Sequence, residues 1–333
     1  MEMDLLYINV IEQNRGWGAE WFINQGLLRN DVVTHNIDFR ENKYQLVDKI
    51  EMIRDFDAVL LQRGDNFPLE ILRSINRPMV FWASELVSRC RDQDRLLKSG
   101  LFEHVFVHTQ ACLRTVLANG WLEAERVSVL LNGFDPATHR PCPDIEKDID
   151  VLFYGTVTPR RQNILDRLRK EHHIHHVQWL GDEMTEVVNR SKILLNIHAG
   201  DFLDTETRIF EGLGWGSFIL SEELSEDNPF VPGQHYAEVK SVEDMTNAID
   251  YYLENEDERD RIASQGHAEA MAKHTYDERA REISEVIRSY SGSPNGPAVD
   301  TLRLRRYRPK ETALRAMGRV ERGLQRLKGR RLV

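Results

Sequence analysis

Asn196-Ile197-His198-Ala199-Gly200-Asp201 runs on through Asp204-Thr205-Glu206-Thr207-Arg208-Ile209-Phe210-Glu211-Gly212 toward Gly214 and Gly216. It is the stretch of this 333-residue chain that is richest in polar and charged side chains set between apolar runs. Residues 193–197 form a short apolar run and read as a strand. The loop after them is polar, and 208–213 reads as a helix. Two glycines make a turn, and 218–221 resumes as a strand. Strand, loop, helix and strand in that order specify a parallel pair joined by a helical crossover.

The same alternation extends in both directions. Upstream, strands are predicted at 150–154 and 176–180, with helices at 161–171 and 182–190. Downstream, helices are predicted at 242–254, 257–274 and 276–290. The N-terminal half repeats the theme. Strands are expected at 5–10, 32–37, 58–61, 78–83, 105–108 and 127–131, with helices at 19–28, 43–54, 69–75 and 111–119. Between the halves lies a proline-rich acidic stretch, Pro141-Cys142-Pro143-Asp144. The expected fold class is α/β, with two Rossmann-like domains whose parallel sheets face an interdomain cleft. Four segments are expected. Residues 1–140 form the first Rossmann-like domain and 148–275 the second. Residues 276–290 form a closing helix that packs back on the first domain, and 291–333 a linker and basic amphipathic tail.

Composition narrows the function classes. No apolar run reaches the roughly 18–20 residues that span a bilayer. The first ten residues carry two acids and no basic cluster, unlike a secretory or transit signal. Cys90, Cys112 and Cys142 are odd in number and lack CxxC spacing, which fits reduced thiols. These features point to the cytoplasm. The net charge is −10, yet residues 301–333 hold twelve Lys/Arg against two Glu. The rest of the chain is therefore strongly acidic, which argues against a nucleic-acid partner.

Gly155-Thr156-Val157-Thr158-Pro159-Arg160-Arg161 lies between a predicted strand and a predicted helix. Gly155 permits a tight turn, the helix tip offers amides and a positive dipole, and Arg160 and Arg161 add charge. Two readings stay open, a diphosphate cradle and an ordinary turn with solvated arginines. Glu211 is placed to accept two hydrogen bonds from a ribose diol, with Arg208 one turn away. The plain alternative is a carboxylate held by helix-start amides. In the first half, Gly16-Trp17-Gly18 forms the first loop. Glu85 and His108 end or follow strands as candidate bases, and for either one a structural hydrogen bond is an equal alternative.

Four segments in order resemble group 1 glycosyltransferases of the GT-B fold, closest to the spore-maturation (CgeB-like) branch. They are Leu131-Asn132-Gly133-Phe134-Asp135-Pro136, Val151 to Gly155 with Arg161, Leu195-Asn196-Ile197-His198, and Arg208-Ile209-Phe210-Glu211-Gly212-Leu213-Gly214-Trp215-Gly216. The resemblance spans residues of about 75–290. It implies that Glu211 binds the nucleotide ribose and Arg161 the diphosphate, with Asn196 and His198 on the pocket floor. Gly155, Arg160, Thr207 and Arg208 complete the donor set, Gly16 and Gly18 face it, and Arg161 joins Glu85 and His108 among the catalytic candidates. It also implies a nucleotide-diphosphate sugar as co-substrate, no further cofactor and no metal. One departure stands out. Where many relatives carry a second Glu there is Leu203, leaving Asp201, Asp204 or Glu206 to take its place.

Other signals carry less. Asp55-Phe56-Asp57 and Asp148-Ile149-Asp150 precede strands and read as turn residues, and the 172–176 histidine tract reads as a surface cluster. Within 311–328, Leu314, Met317, Val320, Leu324 and Leu327 recur at helical intervals among arginines. Such a helix suits an anionic membrane surface or, equally, the protein's own acidic body. The expected activity is transfer of a sugar from a nucleotide-diphosphate donor to an acceptor hydroxyl, in surface or secondary glycoconjugate synthesis. A nucleotide-sugar epimerase of the same architecture and a non-catalytic sugar- or nucleotide-binding component are the competing expectations.

Overall fold

A computed structural model describes residues 3–12, 16–87, 91–290 and 296–317. They form two compact units. The first takes in the chain to Leu130 and from Ala280 onward, and the second spans Leu131–Arg279.

The first unit holds six strands: β1 (Met3–Asn9), β2 (Val32–Asp38), β3 (Ala58–Gln62), β4 (Met79–Ala83), β5 (His104–Val107) and β6 (Val127–Val129). All pair in parallel in the order β2-β1-β3-β4-β5-β6. β3 and β4 are buried along their whole length, as expected for strands covered on both faces. The basic segment after the linker belongs to this unit. Ala298, Val299, Leu304 and Tyr307 lie in its core beside Ile50, Leu72 and Ile75. Arg305 pairs with Glu51, Arg308 with Asp48 and Glu51, and Lys310 with Glu70. The Glu311 carboxylate accepts from the Val47 amide at 3.0 Å, capping the helix Leu46–Ile53, whose own N-cap residue makes no side-chain bond. Of the two partners expected for the tail, residues 301–317 therefore meet the acidic body. Residues 318–333, with Val320, Leu324 and Leu327, lie outside the described residues.

The second unit holds β7 (Ile149–Tyr154), β8 (Ile174–Val177), β9 (Ser191–Asn196), β10 (Ile219–Glu222) and β11 (Ala237–Val239), parallel in the order β11-β10-β9-β7-β8. Successive residues of β7 face opposite cores. Val151 and Phe153 pack with Ile164, Leu165 and Ile249 on one side. Leu152 and Tyr154 pack with Ile209, Phe210 and Leu213 on the other. β7 is flanked by β8 and β9, so successive connections leave it in opposite directions. The carboxyl ends where the order reverses are where open α/β sheets bind ligands.

Candidate functional site

At that reversal, three stretches converge: Tyr154-Gly155 after β7, Asn196-Ile197-His198 at the end of β9, and the helix Thr207–Gly214. Gly155 has φ +112°, and a Cβ there would stand 3.0 Å from Arg208 Nη2. The glycine thus serves both the turn and the arginine's approach. The next helix, Pro159–Leu168, starts with proline in its first turn and is capped by Thr158, whose hydroxyl accepts from the Arg161 amide at 3.3 Å. Its tip and that of Thr207–Gly214 bring first-turn amides and two dipole ends to the same edge.

Glu206, which precedes the second of these helices, is the hub. It takes both oxygens to Arg161 Nη2, at 3.1 and 2.8 Å, and accepts from Arg208 Nη1 at 3.1 Å. His198 Nδ1 lies 3.6 Å away. Burial opposes charge on Glu206, but His198 and the two arginines override it and bring its pKa down to about 2. Burial likewise works against charge on His198, and Glu206, the Glu223 carbonyl and Glu222 outweigh it, so its pKa is raised. Of the three acids left open by Leu203, the structure therefore brings Glu206 into the centre. Asp201 sits at the surface against Arg160.

Arg161, which the resemblance assigns to the diphosphate, is buried and bonded within the protein. Besides Glu206, its Nε donates to the Ile197 carbonyl at 2.8 Å and its Nη1 to the Thr156 carbonyl at 3.1 Å. It clamps the two loops together. Arg160 is also engaged, through a two-point pair with Glu222 and a bond to the His198 carbonyl. Arg208 donates to Asn196 Oδ1 at 2.9 Å and to the Tyr154 carbonyl at 3.0 Å, while its Nε is buried without a partner. Asn196 in turn donates to Ser221. Both Asn196 and His198 are buried beneath the loops, and Thr207 is the half-buried first residue of its helix.

Glu211 differs from this ionic cluster. Among the described residues no lysine or arginine pairs with it. Its Oε2 accepts from the Tyr154 hydroxyl at 3.1 Å, and Oε1 lies 3.7 Å from His139 Nε2. Burial raises its pKa to about 7 against the opposing effects of Tyr154 and Arg208. Tyr154 and His139 were not singled out from sequence. They lie far from Glu211 along the chain, and no local pattern marks them.

In the first unit, Gly16 and Gly18 both adopt positive φ in the loop after β1, and Gly18 precedes the helix Ala19–Arg29. Glu85 follows β4, is exposed, and lies 3.5 Å from Arg63. Arg63, itself at φ +67°, donates to the buried Glu20 at 3.0 Å. His108 is buried just after β5. Glu20 and Arg63 escaped the sequence reading because their pairing joins a helix to a distant strand end. The DxD strings serve as turn ligands, with Asp148 on Arg190, Asp150 on Lys192 and Asp57 on the Asp4 amide. His176, within the histidine tract, bonds the Gly155 carbonyl at 3.0 Å.

Residues 143–285 match the family model described as "Glycosyl transferase-like". No curated protein matches the chain. Among solved structures, the chain is similar to Anabaena HepE solved with UDP-glucose, at TM-score 0.63 and 14% identity over 86% of this chain and 100% of that one. It is similar to the sucrose-phosphate synthase of Thermosynechococcus elongatus, at TM-score 0.65 and 10% identity over 86% and 98%. A glycosyltransferase of Rickettsia africae matches at TM-score 0.60 and 11% identity over 88% and 99%. The chain has the GT-B fold of these structures, and most of the residues that match the family model lie in its second unit.

Proposed function

We propose that this protein transfers a sugar from a nucleoside-diphosphate donor, bound at the carboxyl edge of the second unit's sheet, to an acceptor hydroxyl. One observation carries the reading: Glu211, a buried carboxylate that no lysine or arginine pairs with among the described residues, stands beside two helix tips and the Arg161–Glu206–Arg208 cluster. The carboxylate suits a ribose diol. The helix tips suit the diphosphate, whose leaving charge they stabilise through amides already oriented toward it. Arg208 sits at the same edge with an unfilled Nε donor. Arg161 acts one step back, holding the Thr156 and Ile197 carbonyls so that the turn keeps its shape. Glu85, or His108, is the acceptor-side base if the transfer inverts configuration. Neighbours of this fold have been solved with UDP and UDP-glucose, which makes UDP-sugars the first donors to try.

Surface or secondary glycoconjugate synthesis is the setting proposed for this activity. Contact with an anionic membrane is assigned in this proposal to the arginine-rich residues beyond 317. Among the described residues no helix is long and apolar enough to cross a membrane.

A thermal-shift screen of nucleoside diphosphates and nucleotide sugars tests donor binding, because a ligand that binds the folded state raises its melting temperature. Product analysis with and without acceptor then separates transfer from epimerisation. No shift with any nucleotide would remove the proposal, and sugar isomerisation without acceptor would replace it.

A further inference from the structure

We infer that Tyr154 and His139 are positioning residues that fix the two oxygens of Glu211 for a vicinal diol, so that the protein selects ribonucleotide over 2′-deoxyribonucleotide donors. The inference rests on the proposal that Glu211 takes the ribose.

The geometry treats the two oxygens separately. Tyr154, at the end of β7, donates its hydroxyl to Oε2 at 3.1 Å. His139 approaches Oε1 from the turn that opens the second unit. That turn is tight. The Asp135 amide donates to His139 Nδ1 at 3.1 Å, and Asp135 Oδ2 accepts from the Thr138 amide at 3.0 Å. Nδ1 also lies 3.1 Å from the Asp135 carbonyl, and Nε2 faces Glu211 Oε1 across 3.7 Å, a contact longer than a hydrogen bond. Burial lowers the His139 pKa to about 4, so the ring stays neutral. Trp215 braces both partners, with its ring 4.7 Å from His139 and 6.2 Å from Tyr154, edge-on in each case. Arg208 lies over the Tyr154 ring at 4.9 Å but directs its hydrogen bonds to Glu206, Asn196 and the Tyr154 carbonyl. The groups facing Glu211 are thus a phenol, a neutral imidazole and, from its own helix, Arg208, which does not pair with it.

A carboxylate oxygen has two lone pairs. Tyr154 takes one on Oε2 and the His139 ring packs against Oε1, so the carboxylate is held from both sides with lone pairs left on each oxygen. Adjacent hydroxyls of a ribose each donate to one of them. A 2′-deoxyribose leaves one oxygen buried and unmatched, which a site built for a hydroxyl rejects strongly.

Titration calorimetry with UDP, GDP and ADP and their 2′-deoxy counterparts tests this on wild type, Tyr154→Phe, His139→Gln and Glu211→Gln. Wild type is expected to prefer the ribo form by about tenfold or more. Tyr154→Phe and His139→Gln should each shrink that ratio severalfold by weakening the ribo form, with the deoxy form little changed. A purely structural role would lower both affinities together and leave the ratio intact. If Glu211→Gln abolishes the preference while the other two variants keep it, the positioning inference is overturned and the ribose reading stands. If wild type shows no preference, or Glu211→Gln keeps it, the ribose reading itself fails. Tyr154→Phe changes one atom of a packed ring, which keeps the test available if His139→Gln does not fold.

Discussion

Arg161 and Glu206 form a two-point ion pair in which one guanidinium nitrogen reaches both carboxylate oxygens, at 3.1 and 2.8 Å, and the same carboxylate also receives Arg208. Two arginines and one glutamate leave a net positive charge beside the helix tips. Removing the glutamate leaves two guanidinium groups facing each other with little solvent. Glu206→Ala should therefore destabilise the fold by about 3 kcal/mol, measured by chemical denaturation. Arg161→Lys should recover little of what Arg161→Ala loses, because an ammonium cannot match the fork that also binds Ile197 and Thr156.

The two carboxylates of the site predict opposite pH dependences. Glu211 has a folded pKa of about 7 against an ordinary 4.5, so the folded state holds its proton more tightly. Its contribution to stability falls as pH rises from 4.5 to about 7 and is level above. Glu206, at about 2, contributes stability that is present above 4.5 and is lost as pH falls through about 2. Glu211→Gln should flatten the first slope, stabilising the protein near pH 8 by on the order of 3 kcal/mol. Denaturation curves of both proteins across that window check it. Nucleotide affinity in wild type should strengthen as pH rises through about 7, since the diol donates to the ionised form.

Gly155→Ala tests the turn. The backbone there is at φ +112°, and the new methyl would press on Arg208 Nη2. A loss of about 1–3 kcal/mol is expected from backbone strain. Because Arg208 must move, nucleotide affinity should fall as well. A variant with wild-type melting and wild-type affinity would show that neither the turn nor the arginine is as constrained as described.

The carboxyl-terminal segment should behave as part of the first unit. Glu311→Ala removes the cap from Leu46–Ile53 and should cost about 1 kcal/mol. Truncation before Thr301 should cost more, because Leu304 and Tyr307 leave the core. Part of the segment's contribution is ionic, through exposed pairs to Asp48, Glu51 and Glu70. High salt should therefore narrow the gap between truncated and full-length protein.

The alternation of strands and helices was legible because buried parallel strands and amphipathic helices leave distinct periodicities. The helix Tyr276–Tyr290 matches its expected bounds. β11, only three residues long at a sheet edge, left too little pattern to read, and β8 lies earlier than expected because the histidine tract carried no apolar signal. Glu211 and Arg208 were legible as a motif on one helix. Glu206 was visible only as one of three acids near Leu203, because choosing among them needed the positions of Arg161 and His198. Tyr154, His139, Glu20 and Arg63 act through contacts between segments distant in sequence, and composition does not encode those.

The most direct measurement is titration of wild type and Glu211→Ala with UDP, GDP and ADP, taking the nucleotide that binds wild type most tightly. Binding to the variant should be at least about tenfold weaker, roughly 1.4 kcal/mol, with its melting temperature maintained. Equal affinity in the two proteins would contradict it.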